Sequence, residues 1–236
     1  GEACSYLYLG YSTTNGGSDD GDNVPGDDMS QDGRNAGGGY TPVLNNSLTN
    51  TRGYPQTILN HGVGGVTSAY GVQLLPTLLG MYPDAQRYLI LYGMNDARPW
   101  APVPSGLGLN PGDPGYSGSF KDNMQRIINL VNAAGKQAVL GKVAIALGDC
   151  NDPLSCPPYP NPYTGDRTLN ILQYNQVVDE LIGNPANRIT VTPPDFFNYF
   201  AQHYMDEYFD NIHPNGIGYQ SMARLWCGAL TGGVCN

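Results

Sequence analysis

The stretch RYLILYG, residues 87–93, decides the fold. It is apolar at every position from Tyr88 to Tyr92 and closes on Gly93. A strand with one wet face would alternate polar and apolar side chains. An unbroken apolar run suits a strand buried on both faces, as in the middle of a parallel sheet covered by helices.

The flanking sequence supplies those helices. On the C-terminal side, SFKDNMQRIINLVNAAG predicts a helix. Ser119 caps it, apolar positions recur at Met124, Ile127, Ile128 and Val131, and Gly135 stops it. QAVLGKVAIA, residues 137–146, reads as a strand; LNILQYNQVVDELIG, ending at Gly183, as a helix; RITVTPP as a last strand; and residues 216–230 as a final helix. On the N-terminal side, Ser5–Leu9 reads as a strand, about Thr41 to Thr49 as a helix, and residues 56–61 as a short strand. A glycine turn then leads into a helix over roughly Ala69 to Leu79. Strands alternating with helices imply right-handed crossovers and an α/β architecture with about five parallel strands. There is no repeat and no interdomain linker, so residues 1–236 are expected to form a single domain.

Composition narrows the function. The net charge is −9 with only 11 Lys and Arg, which argues against nucleic acid and against anionic membrane surfaces. No run of 18 apolar residues is present, so no membrane span is expected. No signal peptide is visible, and the chain lacks an initiator Met, as a processed chain would. Of five cysteines, Cys150/Cys156 and Cys227/Cys235 bracket short loops with Pro or Gly inside. Local disulfides and a secreted or otherwise extracytoplasmic location follow, with Cys4 left over. Asp19, Asp20, Asp22, Asp27 and Asp28 crowd one loop, but their spacing does not match an EF-hand. The loop is read as solvated, and neither metal nor cofactor is expected.

In parallel sheets, sites form at the carboxyl ends of the strands. Ser12 follows the first strand, Gly65 follows the second in NHGVGGVT, and Asn95 follows the third in GMND. Asp210 and His213 lie in DNIHPNGIGY near the C terminus. A serine hydroxyl needs a base, histidine is one at neutral pH, and a carboxylate three residues away can orient it. A glycine backbone N–H and a carboxamide can stabilise an oxyanion. Singly, each has a plainer reading: a cap, a tight turn, an Asx turn, or a helix start at His213–Pro214. His61 and His203 have no matching carboxylate and read as structural or rim residues.

Taken together, LGYSTTNG, NHGVGGVT, YGMND and DNIHPNGIGY resemble the four blocks of the SGNH hydrolases, the GDSL-type esterases and lipases, in order and across nearly the whole chain. The resemblance implies a flavodoxin-like three-layer α/β/α sandwich and a carboxylic ester hydrolase working through an acyl-enzyme. It implies Ser12 as nucleophile, His213 as base and Asp210 as its orienting acid, with Ser12, Gly65 and Asn95 forming the oxyanion hole. One residue departs: the family reads Gly-Asp-Ser where this chain has Tyr11 before Ser12, and Asp96 is a candidate to hold the nucleophile turn instead. No G-x-S-x-G pentapeptide occurs, which argues against an ordinary α/β-hydrolase elbow.

The long loops 14–40 and 98–118 are expected to rim the site with Tyr40, Trp100 and Tyr116, beside Tyr11. They lack an apolar lid helix, and a polar, aromatic rim suits short-chain or acetyl esters, plausibly on a saccharide. A thioesterase or lysophospholipase on the same machinery, or a glycan-binding module with a decayed site, are the alternatives.

Overall fold

The computed structural model describes residues 39–99, 101–147, 166–208, 210–233 and 235, and the backbone of 5–10. Among the described residues four parallel strands form one sheet: β1 (Ser5–Gly10), β2 (Thr57–Asn60), β3 (Arg87–Leu91) and β4 (Gln137–Leu140). Their order is β2-β1-β3-β4, the flavodoxin-like arrangement. The chain runs outward from β1 to β2, then crosses back to β3 and continues to β4. The order therefore reverses between β1 and β3, where Tyr6 pairs with Arg87 and Gly10 with Leu91. Crevices for ligands open at that switch point, beyond the carboxyl ends of the strands.

Right-handed crossovers place helices on opposite faces according to the direction of travel. Helix α1 (Thr41–Arg52) precedes the edge strand β2, whereas α2 (Ser68–Met81) and α3 (Phe120–Ala133) connect strands in the reverse direction. Accordingly α2 packs on α3 and α3 on α4 (Asp166–Gly183), while α1 packs on α6 (Gly216–Thr231) and α6 on α5 (Phe196–Glu207). The result is a three-layer α/β/α sandwich.

The central strand is as dry as its sequence requires: Tyr88, Leu89, Ile90 and Leu91 are fully buried. Helix α3 buries the predicted stripe of Met124, Ile127, Ile128 and Val131. Ser119 Oγ accepts from Asp122 N at 3.2 Å, and Gly135 takes the left-handed conformation at φ +72°. On the other face Trp226 of α6 is fully buried and lies against Gly141, just past β4. Each such Leu, Ile or aromatic contributes roughly 1.5–3 kcal/mol of burial.

One expected strand does not form. RITVTPP does not ladder; only Asp195 forms a parallel bridge, to Lys142, beside a bond from Lys142 N to Pro194 O. Pro193 and Pro194 have no N–H to donate, so the segment cannot sustain a second row of bonds. Strand β4 is likewise shorter than residues 137–146, ending at Leu140 before Gly141.

Cys227 and Cys235 form a disulfide with Cα atoms 5.7 Å apart. Cys4, Cys150, Cys156 and the acidic loop 19–28 lie outside the described residues. No helix among the described residues is long and apolar enough to cross a membrane.

Candidate active site

The loop between α5 and α6 carries Asp210 and His213. Its two ends are fastened. Tyr208 and Pro214 form an antiparallel bridge, and Asn215 N donates to Glu207 O at 2.9 Å. Asn215 also caps α6 by accepting from Gly218 N at 3.0 Å. Helix α6 thus begins at Gly216, two residues later than a start at His213–Pro214 would place it. Leu147 N donates to Asn211 O at 2.8 Å and Tyr208 OH to Ile145 O at 2.7 Å, which tie the loop to the segment following β4.

Within this frame the Asp210 carboxylate is fully used. Its Oδ1 accepts from the backbone N–H groups of Ile212 (2.8 Å) and His213 (2.7 Å), and its Oδ2 lies 2.7 Å from His213 Nδ1. Burial pushes the Asp210 carboxyl up, but the His213 hydrogen bond and charge and the two backbone N–H groups outweigh it and hold its pKa below the ordinary carboxylate value. An ionised Asp210 accepts from Nδ1–H, which leaves Nε2 as the nitrogen with a lone pair. The imidazole side chain is 17% exposed, open enough to meet a reactant.

The second cluster stands at the end of β3. Gly93, at φ +131°, turns the chain out of the strand. A Cβ there would come within 2.4 Å of Val143 Cγ2, so only glycine fits. The turn closes with Ala97 N donating to Gly93 O at 2.9 Å, and it presents Asn95 and Asp96. Across from it, Gly65 adopts φ +76° in the turn that leads from β2 into α2. Arg98 bridges the two: its Nη2 donates to Gly65 O at 2.8 Å and to Asn95 Oδ1 at 3.0 Å. Asn95 Nδ2 is buried and has no hydrogen-bond partner among the described residues.

Asp96 faces elsewhere. Both its carboxylate oxygens accept from Ser68 N (3.1 and 3.0 Å), and Oδ1 accepts from Ser68 Oγ at 2.5 Å. Asn123 Nδ2 completes the chain by donating to Ser68 Oγ at 3.0 Å. Burial pushes the Asp96 carboxyl up to about 6, against the pull of its Ser68 and backbone hydrogen bonds. The carboxylate that was a candidate to hold the nucleophile turn is committed to the first N–H of α2, where an anion is favoured by the free N–H groups.

Ser12, Tyr11 and Trp100 lie outside the described residues. Tyr40 and Tyr116 are not open rim residues: they are 0% and 7% exposed. The loop carrying Tyr116 is a chain of closed turns, with Tyr116 N bonded to Asp113 O and Ser119 N to Tyr116 O, so it folds its aromatic ring inward. Of the other histidines, His61 tilts against Tyr82 with ring centroids 5.0 Å apart, and His203 stacks on Tyr199 at 4.1 Å. Both are held by aromatic neighbours. Sequence reasoning missed Arg98; its position three residues past Asn95, in a chain with 11 basic residues, was the available signal.

Residues 8–221 match the model of the GDSL-like lipase/acylhydrolase family. The chain belongs to that family and is a carboxylic ester hydrolase. Among solved structures it is similar to the lipase/acylhydrolase from Enterococcus faecalis, with a TM-score of 0.65 and 16% identity over 97% of this chain and 96% of that one. It is similar to a variant of an acetyl xylan esterase from Geobacillus stearothermophilus, with a TM-score of 0.64 and 17% identity over 100% and 98%. It is also similar to a psychrotrophic esterase from Pseudoalteromonas sp., solved inhibited by monoethylphosphonate, with a TM-score of 0.59 and 16% identity over 97% of each chain. No curated protein matches the sequence.

Proposed function

We propose that residues 1–236 act as one catalytic domain that hydrolyses short-chain or acetyl esters, with a saccharide as the alcohol. Ser12 is the nucleophile, His213 the base and Asp210 its orienting acid; the N–H groups of Ser12 and Gly65 and Asn95 Nδ2 form the oxyanion hole. The observation that carries this reading is the 2.7 Å contact between Asp210 Oδ2 and His213 Nδ1, on a carboxylate whose other oxygen is anchored by two backbone N–H groups.

The chemistry runs in two halves. Ser12 Oγ attacks the ester carbonyl as its proton passes to His213 Nε2, and the carbonyl oxygen gains the negative charge. Asn95 Nδ2, buried without a partner among the described residues, is suited to donate to that oxygen, a contact worth roughly 3–4 kcal/mol of barrier. The alcohol then leaves with the proton from His213, forming the acyl-enzyme. Water, deprotonated by His213, attacks the acyl carbon, and Ser12 departs with the proton. In the sequence Ser12 follows Gly10, the end of β1, by two residues, and β1 is one of the two strands that flank the switch point of the sheet.

Support for a small acyl group comes from the absence of an apolar lid in the sequence, and the fold's likeness to an acetyl xylan esterase points the same way. The Cys227–Cys235 disulfide supports an extracytoplasmic location. A fluorophosphonate probe should label the protein and fail to label Ser12→Ala. p-Nitrophenyl acetate should be cleaved in preference to the octanoate; a clear preference for octanoate refutes the short-chain assignment.

A further inference from the structure

We infer that Arg98 is a positioning residue for the oxyanion hole, acting on two of its members at once; this rests on the assignment of Gly65 and Asn95 proposed above. Asn95 has an amide whose orientation matters: one end must donate outward and the other must be held. Arg98 Nη2 holds the oxygen end at 3.0 Å, so the NH₂ end is the one left over, and it is the one buried without a partner among the described residues. Were the amide rotated by 180°, two donors would face each other across that contact. The guanidinium therefore fixes which end of Asn95 faces the reacting oxygen.

The same nitrogen fixes Gly65. Its second bond, 2.8 Å to Gly65 O, restrains a residue in the left-handed region that no side chain braces. With its carbonyl pinned, the N–H on the other side of Gly65 loses one of its two rotational freedoms. Donors fixed in advance stabilise a developing anion without reorganising, which is the source of their catalytic effect. Charge adds to geometry. No carboxylate forms an ion pair with Arg98 among the described residues, so its positive charge is uncompensated there. A cation donating to Oδ1 polarises the Asn95 amide and strengthens its Nδ2–H as a donor.

Arg98→Met keeps the stem and removes the fork; Arg98→Lys keeps the charge and restores donors. Turnover of p-nitrophenyl acetate should fall roughly tenfold to hundredfold in kcat in Arg98→Met, part of the roughly 10²–10³ that a whole donor supplies, with KM within about threefold. Arg98→Lys should recover part of that loss. In an Asn95→Ala background the further loss from Arg98→Met should shrink, because the part of its effect that runs through Asn95 is already gone and only the part through Gly65 remains. Melting temperature, read on every variant, separates loss of catalysis from loss of fold. Arg98→Met within threefold of the wild type, a loss carried entirely in KM, or full additivity with Asn95→Ala each overturns the inference while leaving the oxyanion assignment intact. Wild-type kcat in Asn95→Ala alone overturns both.

Discussion

Replacing Asp210 by Asn tests the base assignment most sharply, because the structure dictates what the amide must do. In the wild type Oδ1 accepts from two backbone N–H groups and Oδ2 from the imidazole. An asparagine has one acceptor oxygen for three donors. The two backbone bonds fix the oxygen on their side, so the NH₂ is turned toward His213 Nδ1. Nδ1 must then accept, which moves the ring proton to Nε2, where it would block the proposed proton transfer from Ser12. The wrong tautomer costs on the order of 10⁴ in kcat in serine triads, or about 5 kcal/mol of barrier. Because the backbone bonds survive, the variant should still fold at neutral pH, without the stability that the ionised carboxylate adds. Steady-state hydrolysis of p-nitrophenyl acetate with melting curves on the same samples measures both. A variant within tenfold of wild-type kcat refutes the assignment. Asp210 also contributes stability above its unfolded pKa, since its folded pKa is depressed, and loses it as the pH falls through that lowered value. The acid-side decline of the wild type should therefore be shallower in the variant.

Two further outcomes follow from groups away from His213. Asp96 has a folded pKa raised to about 6, so its ionisation opposes folding at neutral pH and that opposition is relieved as the pH falls toward the ordinary carboxylate value. Relative to the wild type, Asp96→Asn should therefore gain about 2 kcal/mol between pH 4 and pH 7.5, read from denaturant unfolding at each pH; a flat difference refutes the raised pKa. Cys235→Ser opens a link between residues 8 apart, and by the loop-entropy relation it should cost ~2.5 kcal/mol; an unchanged unfolding midpoint would show that the disulfide constrains nothing in the unfolded chain.

Much of this was legible in the chain because the signals were local. Helix α3 announces its cap, its stripe and its stop within seventeen residues, and all three occur as spaced. The dry run at Tyr88–Leu91 placed β3 at the centre. What was not legible depended on distant partners. Helix α5, FFNYFAQHYMDE, carries five aromatic rings with weak helical preference and is held by tertiary packing of Phe196 and Phe200. The last strand failed on two prolines whose cost appears only when a neighbour asks for an N–H. Asp96 could be placed beside the site, but its commitment to Ser68, 28 residues away, depends on where α2 begins. Arg98 left only its position three residues past Asn95 as a signal, because what it does depends on a bond to a carbonyl 33 residues earlier.

The place of β1 in the sheet has a consequence for how the enzyme is assembled. It is the first of the four strands to leave the ribosome, yet it lies between the second and the third. Its partners arrive late: Ser5 waits for Thr57, and Tyr6 for Arg87. Both pairings close long loops, and sheets built from such contacts fold slowly. During synthesis β1 is therefore an apolar segment without a home until about a third of the chain has followed it. The strand that precedes Ser12 in the sequence is seated only when both its neighbours exist, so the central sheet cannot form before β3 has been made.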